Sequence, residues 1–203
     1  LFELSANRSE FVSKLFSRKP MPNYTAQTTA NDLFNYYYDA TPSPELYDAN
    51  LKAVIDHLKT KRGFPLSAGD IDGITWAYSN YFRFGPSIFY NSSDAAQAPE
   101  IVGATGTFGA RGGRGGGFNG TTYADLMMAD DGMGKERSYL ANEENFMILK
   151  NLEMKNLIVP VVGDFGGSKA LREVGKYLKS VNAMVTAFYL SNVEQYLSQD
   201  GKM

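Results

Sequence analysis

The chain has 203 residues, a formal net charge of −2, and 43% hydrophobic and 13% aromatic residues, enough for a packed core. Near-neutral charge supplies no general attraction to nucleic acid or to an anionic membrane. With no cysteine, disulfides, thiolate nucleophiles and zinc–cysteine sites are excluded, and a single histidine, His57, argues against a Ser-His-Asp triad or a multi-histidine metal centre.

No run approaches the roughly 18 apolar residues of a transmembrane helix, so no transmembrane segment is expected; the compartment, cytoplasmic or exported, stays open. Residues 1–18 read as a helix with Leu4, Phe11, Val12, Leu15 and Phe16 on its apolar face, stopped by Lys19-Pro20-Met21-Pro22. A short helix is expected over Thr28–Tyr38. Ser43-Pro44-Glu45 is a helix start, with a capping serine and then proline at the first helical position. Tyr47, Leu51, Val54, Ile55 and Leu58 continue it as one stripe, which Gly63 ends. Ser67 with Asp70 resembles a capping box and opens a helix through Trp76, Tyr78, Tyr81 and Phe82, closed by Gly85-Pro86.

Between Asn91 and Asn119 no periodicity survives, and the glycines predict a long flexible loop. Arg111-Gly-Gly-Arg114 within it offers only two arginines for RNA, and a solvated linker is the better reading, so no nucleic-acid partner is expected. Short helices are expected at Thr122–Met128 and after Arg137-Ser138-Tyr139, through Phe146, Leu149 and Leu152.

The stretch 156–197 carries the main functional lead. Two near-continuous apolar runs, 157–162 and 184–190, flank a helical face of Ala170, Leu171, Val174, Tyr177 and Leu178. Unbroken apolar character predicts strands buried on both faces, hence a β-α-β unit in a parallel sheet. The fold class expected is α/β, a partial Rossmann-like parallel-sheet core with a helical insertion or lid. The expected division is a helical segment at 1–90, a glycine-rich loop at 91–121 and the α/β segment at 122–203. Two strands alone leave open edges. A homo-oligomer, or a further N-terminal segment completing the sheet, is therefore expected, and the start at Leu1 reads as the middle of a helix.

In such sheets ligands sit beyond the carboxyl ends of the strands. Those ends hold Gly163, Asp164 and Phe165, and Ser191 and Asn192, the candidate small-molecule site. Asp164 would accept hydrogen bonds from a ligand, or serve as a turn residue. Ser191 with Glu194 has capping-box spacing, leaving Asn192 free to point an amide at a ligand. Asp164-Phe165-Gly166 lacks the rest of a kinase signature, and Gly166-Gly167-Ser168-Lys169 is not a P-loop. Asp130, Asp131 and Glu136 do not follow EF-hand spacing, so no metal is expected. His57 reads as a boundary residue, and Arg137, Ser138 and Tyr139 as helix entry.

The segments Asn156-Leu-Ile-Val-Pro-Val-Val-Gly-Asp-Phe165, Lys169-Ala-Leu-Arg-Glu-Val-Gly175 and Val185-Thr-Ala-Phe-Tyr-Leu-Ser-Asn-Val-Glu-Gln-Tyr-Leu197 resemble an uncharacterised family of bacterial proteins. Leu1–Arg8 and Arg137–Glu144 fit it too. The order of features also resembles class I S-adenosylmethionine-dependent methyltransferases, in which a strand ending in Gly-Asp, here Gly163-Asp164, brings a carboxylate to the adenine. That resemblance implies S-adenosylmethionine as cofactor, with Phe165 against adenine and Ser191 and Asn192 near the methyl donor. It also implies a glycine-containing loop and an acidic strand end that this sequence lacks. The functional expectation is a methyltransferase-like protein with half a cofactor site. The alternative is a non-catalytic binding or assembly module on such a fold.

Overall fold

The computed structural model describes residues 1–89, 92 and 121–202. The glycine-rich loop expected between 91 and 121, with Arg111 and Arg114, falls almost entirely outside them. The described residues form two compact units, Leu1–Leu157 and Ile158–Met203.

The first unit is helical. Its elements are α1 (Arg8–Phe16), α2 (Ala30–Asp39), α3 (Pro44–Asp56), α4 (Ala68–Phe84), α5 (Tyr123–Met128) and α6 (Glu143–Met154). Helix α1 is the centre, with Arg8, Ser9, Phe11, Val12, Ser13, Leu15 and Phe16 all buried. It is shorter than the 1–18 expected. Asn7 caps it by accepting from the Glu10 N–H at 2.9 Å, and Ser17 closes it in the left-handed conformation, φ 50°. Around it pack Leu33, Phe34 and Tyr37 of α2, Ala124 of α5, Leu140, and Phe146 of α6. Aromatic rings carry much of this contact: Phe2 stacks on Phe11 with centroids 4.5 Å apart, and Phe11 lies 5.7 Å from Phe146.

The expected starts of α3 and α4 are present. The Ser43 side chain accepts from the Leu46 N–H at 3.2 Å with Pro44 following, and Ser67 with Asp70 forms a reciprocal capping box. Helix α3 runs on into a π-helical turn, His57–Lys61. This pair is lightly anchored: α3 has no fully buried residue, and α4 buries only Tyr78. Tyr78 stacks on Tyr47 at 5.2 Å, and its hydroxyl lies 2.7 Å from Ser17 Oγ.

Arg8 is wholly buried. Its Nη1 donates to the Leu140 and Ala141 carbonyls at 2.7 and 3.0 Å, its Nε to the Tyr24 hydroxyl at 3.0 Å, and its Nη2 to the Thr28 carbonyl. Glu143 Oε2 is 3.6 Å from Nε and accepts from the Tyr24 hydroxyl. One guanidinium thus joins α1, the 24–28 loop and the entry to α6. Burial and the Glu143 carboxylate push the Tyr24 hydroxyl well above its ordinary pKa, which keeps it a donor.

The second unit holds α7 (Ala170–Ser180) and α8 (Val193–Gln199). The helix expected between the two apolar runs is therefore present, but the sheet is not. Among the described residues the only β pairing is two isolated antiparallel bridges, Arg18–Pro42 and Asp130–Glu136. The partial Rossmann-like parallel sheet, and the α/β methyltransferase-like assignment that rested on it, are corrected to a helical protein. The physical reason is that an apolar run reports local preference, whereas pairing is a non-local property. Residues 158–162 and 184–190 have no regular secondary structure and form no ladder with each other. None of the described residues of this unit is buried; Ala170, Val174, Leu178, Leu190, Val193 and Leu197 are half-covered at best.

Arg8→Met removes the donors that satisfy three backbone carbonyls and leaves the Glu143 charge partly buried. Loss of one partner from such a network costs about 3–5 kcal/mol. Urea denaturation followed by circular dichroism should register that loss, and a change below about 1 kcal/mol would contradict the role assigned to Arg8.

Candidate functional site

The expected site residues lie in the second unit, after its two apolar runs. Gly163 follows the first run where the chain turns toward α7. A Cβ there would collide with the Ala170 Cβ, so glycine allows the close approach of turn and helix. A Cβ on Gly166 would meet Leu197 Cδ2 at 2.6 Å, so the same turn also packs closely against α8.

Asp164 is exposed and its carboxylate is already engaged. Oδ1 accepts from the Gly166 N–H at 3.0 Å, closing the turn, and Oδ2 lies 3.1 Å from Lys202 Nζ. The Lys202 ammonium, then the Gly166 N–H, hold its carboxyl below the usual carboxylate range. Phe165 stacks on Phe188 with ring centroids 6.2 Å apart and planes 17° from parallel. This pair joins Phe165, beside Asp164, to Phe188, three residues before Ser191.

Ser191 takes the left-handed conformation, φ 51°. Helix α8 is therefore entered through Asn192, whose φ of −101° and ψ of 17° are not the extended geometry a capping side chain needs, and no side-chain cap bond forms. The expected Ser191–Glu194 capping box is replaced by a backbone turn from the Val193 N–H to the Leu190 carbonyl at 3.1 Å. The Ser191 hydroxyl and the Asn192 carboxamide consequently stay uncommitted. The fit to S-adenosylmethionine is incomplete: Phe165 could offer a ring face, but Lys202 already occupies the carboxylate that would meet the ligand hydroxyls.

The remaining expectations resolve locally. Asp130 and Asp131 close their own turn: Asp130 accepts from the Gly132 N–H at 2.7 Å, and Asp131 from the Met133 N–H at 3.0 Å and Arg137 Nε at 2.8 Å. No group of three or more metal-ligating side chains occurs among the described residues. Ser138 donates to the Met127 carbonyl at 2.6 Å, and Tyr139 meets Tyr123 hydroxyl to hydroxyl.

Besides the Arg8 network, sequence reasoning missed two features. Glu3 gathers His57 and Arg62, with His57 Nε2 at 2.7 Å and Arg62 Nε at 2.9 Å. The π-helical turn that separates these two residues by five positions puts both on one carboxylate, which periodicity of 3.6 does not anticipate. The second is the exposed apolar surface of the second unit. Val162 and Tyr189 are 102% and 88% exposed, and Met184 83%. The composition signal was present in the two apolar runs, but it was read as buried strand. No helix among the described residues is long and apolar enough to cross a membrane.

Residues 121–203 match a family profile described as a domain of unknown function, DUF7790. The matched stretch takes in α5 and α6, with the core residues Ala124, Leu140 and Phe146, together with the whole second unit. No curated protein and no solved structure matches the chain.

Because its folded pKa is depressed, Asp164 contributes stability above the unfolded carboxyl pKa, about 3.9, and loses it as pH falls through the folded value. Lys202→Ala should move the Asp164 pKa up toward that unfolded value in an NMR titration of the carboxyl carbon. An unchanged titration would mean that the ion pair does not form in solution.

Proposed function

We propose that the chain is a non-catalytic binding and assembly module whose second unit is the docking element. The observation that carries this reading is that Ile158–Met203 buries none of its described residues while exposing a run of large apolar side chains. A segment of this size cannot reach stability without a core, a metal, a disulfide or a partner. The chain has no cysteine, and no metal-ligand cluster lies among the described residues. Exposed apolar surface of this extent marks interaction sites on proteins.

A second reading is supported by the Phe165–Phe188 stack and by the free Ser191 and Asn192 side chains: the same unit takes a small ligand, S-adenosylmethionine, between Asp164-Phe165 and Ser191-Asn192. Lys202 would have to yield the carboxylate. This reading supplies no acid or base for a reaction, and it ranks below the first.

The two readings separate in one set of measurements. Sedimentation velocity across a concentration series should show association that falls away in Val162→Lys/Tyr189→Lys, a change confined to exposed side chains. Calorimetric titration of S-adenosylmethionine should give no heat that Asp164→Ala removes. A monomer at every concentration, combined with Asp164-dependent ligand heat, would reverse the ranking.

A further inference from the structure

The apolar runs of the second unit are exposed along the main chain as well as the side chains. The Leu157 N–H closes the end of α6 by donating to the Leu152 carbonyl at 2.9 Å, and the Ala183 N–H closes the end of α7 by donating to the Leu178 carbonyl at 2.9 Å. Between those points and the next turns, the amides of 158, 159, 161 and 162 and of 184–190 donate to no described backbone carbonyl. In water this is tolerable; under an apolar partner each unpaired group would be costly. Whatever covers these side chains must therefore also supply backbone donors and acceptors. A helix cannot, because its own groups are spent internally. An extended strand can.

The two runs are not equally suited. Pro160 lacks an N–H and interrupts one edge of the first run, a common protection for open strands. The second, Met184–Leu190, has no proline, no glycine and no charged residue, and neither do its neighbours from Val181 to Asn192. Nothing in it repels a like segment, and no charge calls for a partner of opposite sign. Its Val185, Thr186, Phe188 and Tyr189 are residues that favour a pleated, half-buried surface. Drawn out as a strand, such an uncharged segment is compatible with its own copy: two running antiparallel exchange the same hydrogen bonds about a twofold axis.

Resting on the assembly reading, we infer that Met184–Leu190 pairs edge to edge with the same segment of a second copy of this chain, forming an antiparallel two-stranded interface.

Backbone pairing has a signature that apolar contact lacks. In an extended segment the N–H groups of Thr186 and Phe188 point to one edge and those of Val185 and Ala187 to the other. Thr186→Pro and Ala187→Pro each remove one donor without breaking a described backbone bond. The experiment is sedimentation equilibrium of the full chain, the two proline variants, Thr186→Val and the Val162→Lys/Tyr189→Lys pair, with the infrared amide I band recorded on the same samples. The expected result is a dimer that gains β signal on association. One proline variant should raise its dissociation constant about tenfold or more, as loss of ladder hydrogen bonds implies. The other proline variant and Thr186→Val should match the parent. A dimer indifferent to both prolines but broken by the lysine pair would overturn strand pairing and leave the assembly reading standing. A dimer indifferent to the lysine pair would overturn the reading itself. A chain that stays monomeric, yet gains β signal with an added apolar strand peptide, would overturn the second copy as occupant in favour of a foreign strand.

Discussion

The buried guanidinium of Arg8 sets the terms for the first unit. A charge taken out of water must find its hydrogen bonds inside the protein. Arg8 finds them on the 24–28 loop and on residues 140–143, far away in sequence. The aromatic cluster of Phe2, Phe11 and Phe146 can assemble only if α1 and α6 are held in this register. The polar network therefore fixes geometry, and apolar burial around it provides most of the stabilisation.

The second unit has no comparable constraint. Its fixed points are few: the Asp164–Lys202 pair, the close approaches at Gly163 and Gly166, and the Phe165–Phe188 stack. Each ties two segments of the unit together, and none buries a side chain fully. A solvent-facing salt bridge such as Asp164–Lys202 adds little stability. The unit is thus ordered in outline while its apolar surface remains open. That contrast, a buried core in one unit and unpaired main chain in the other, is what supports the association proposed for the second unit.

Helices were legible in the sequence because their signals are local. Ser43-Pro44 and Ser67 with Asp70 announce helix starts through bonds spanning three residues, and these bonds form. The helix between the apolar runs was legible through its spacing. The runs themselves were misread as sheet, since the same residues suit an extended segment whether or not a neighbour pairs with it. At Ser191 the spacing of a capping box was correct but the left-handed backbone removed the geometry it needs. The Arg8 network was invisible because its partners lie beyond any local window. Glu3 with His57 and Arg62 was missed for the same reason, compounded by the π-helical turn.

The most direct test of the account is hydrogen exchange of the amides in 158–162 and 184–190, compared between dilute and concentrated chain. Exchange near the rate of unstructured peptide is expected when dilute, and protection at 184–190 on association, with α1 protected throughout. Strong protection of both segments in the dilute monomer would contradict it, because the main chain would then be paired within a single copy.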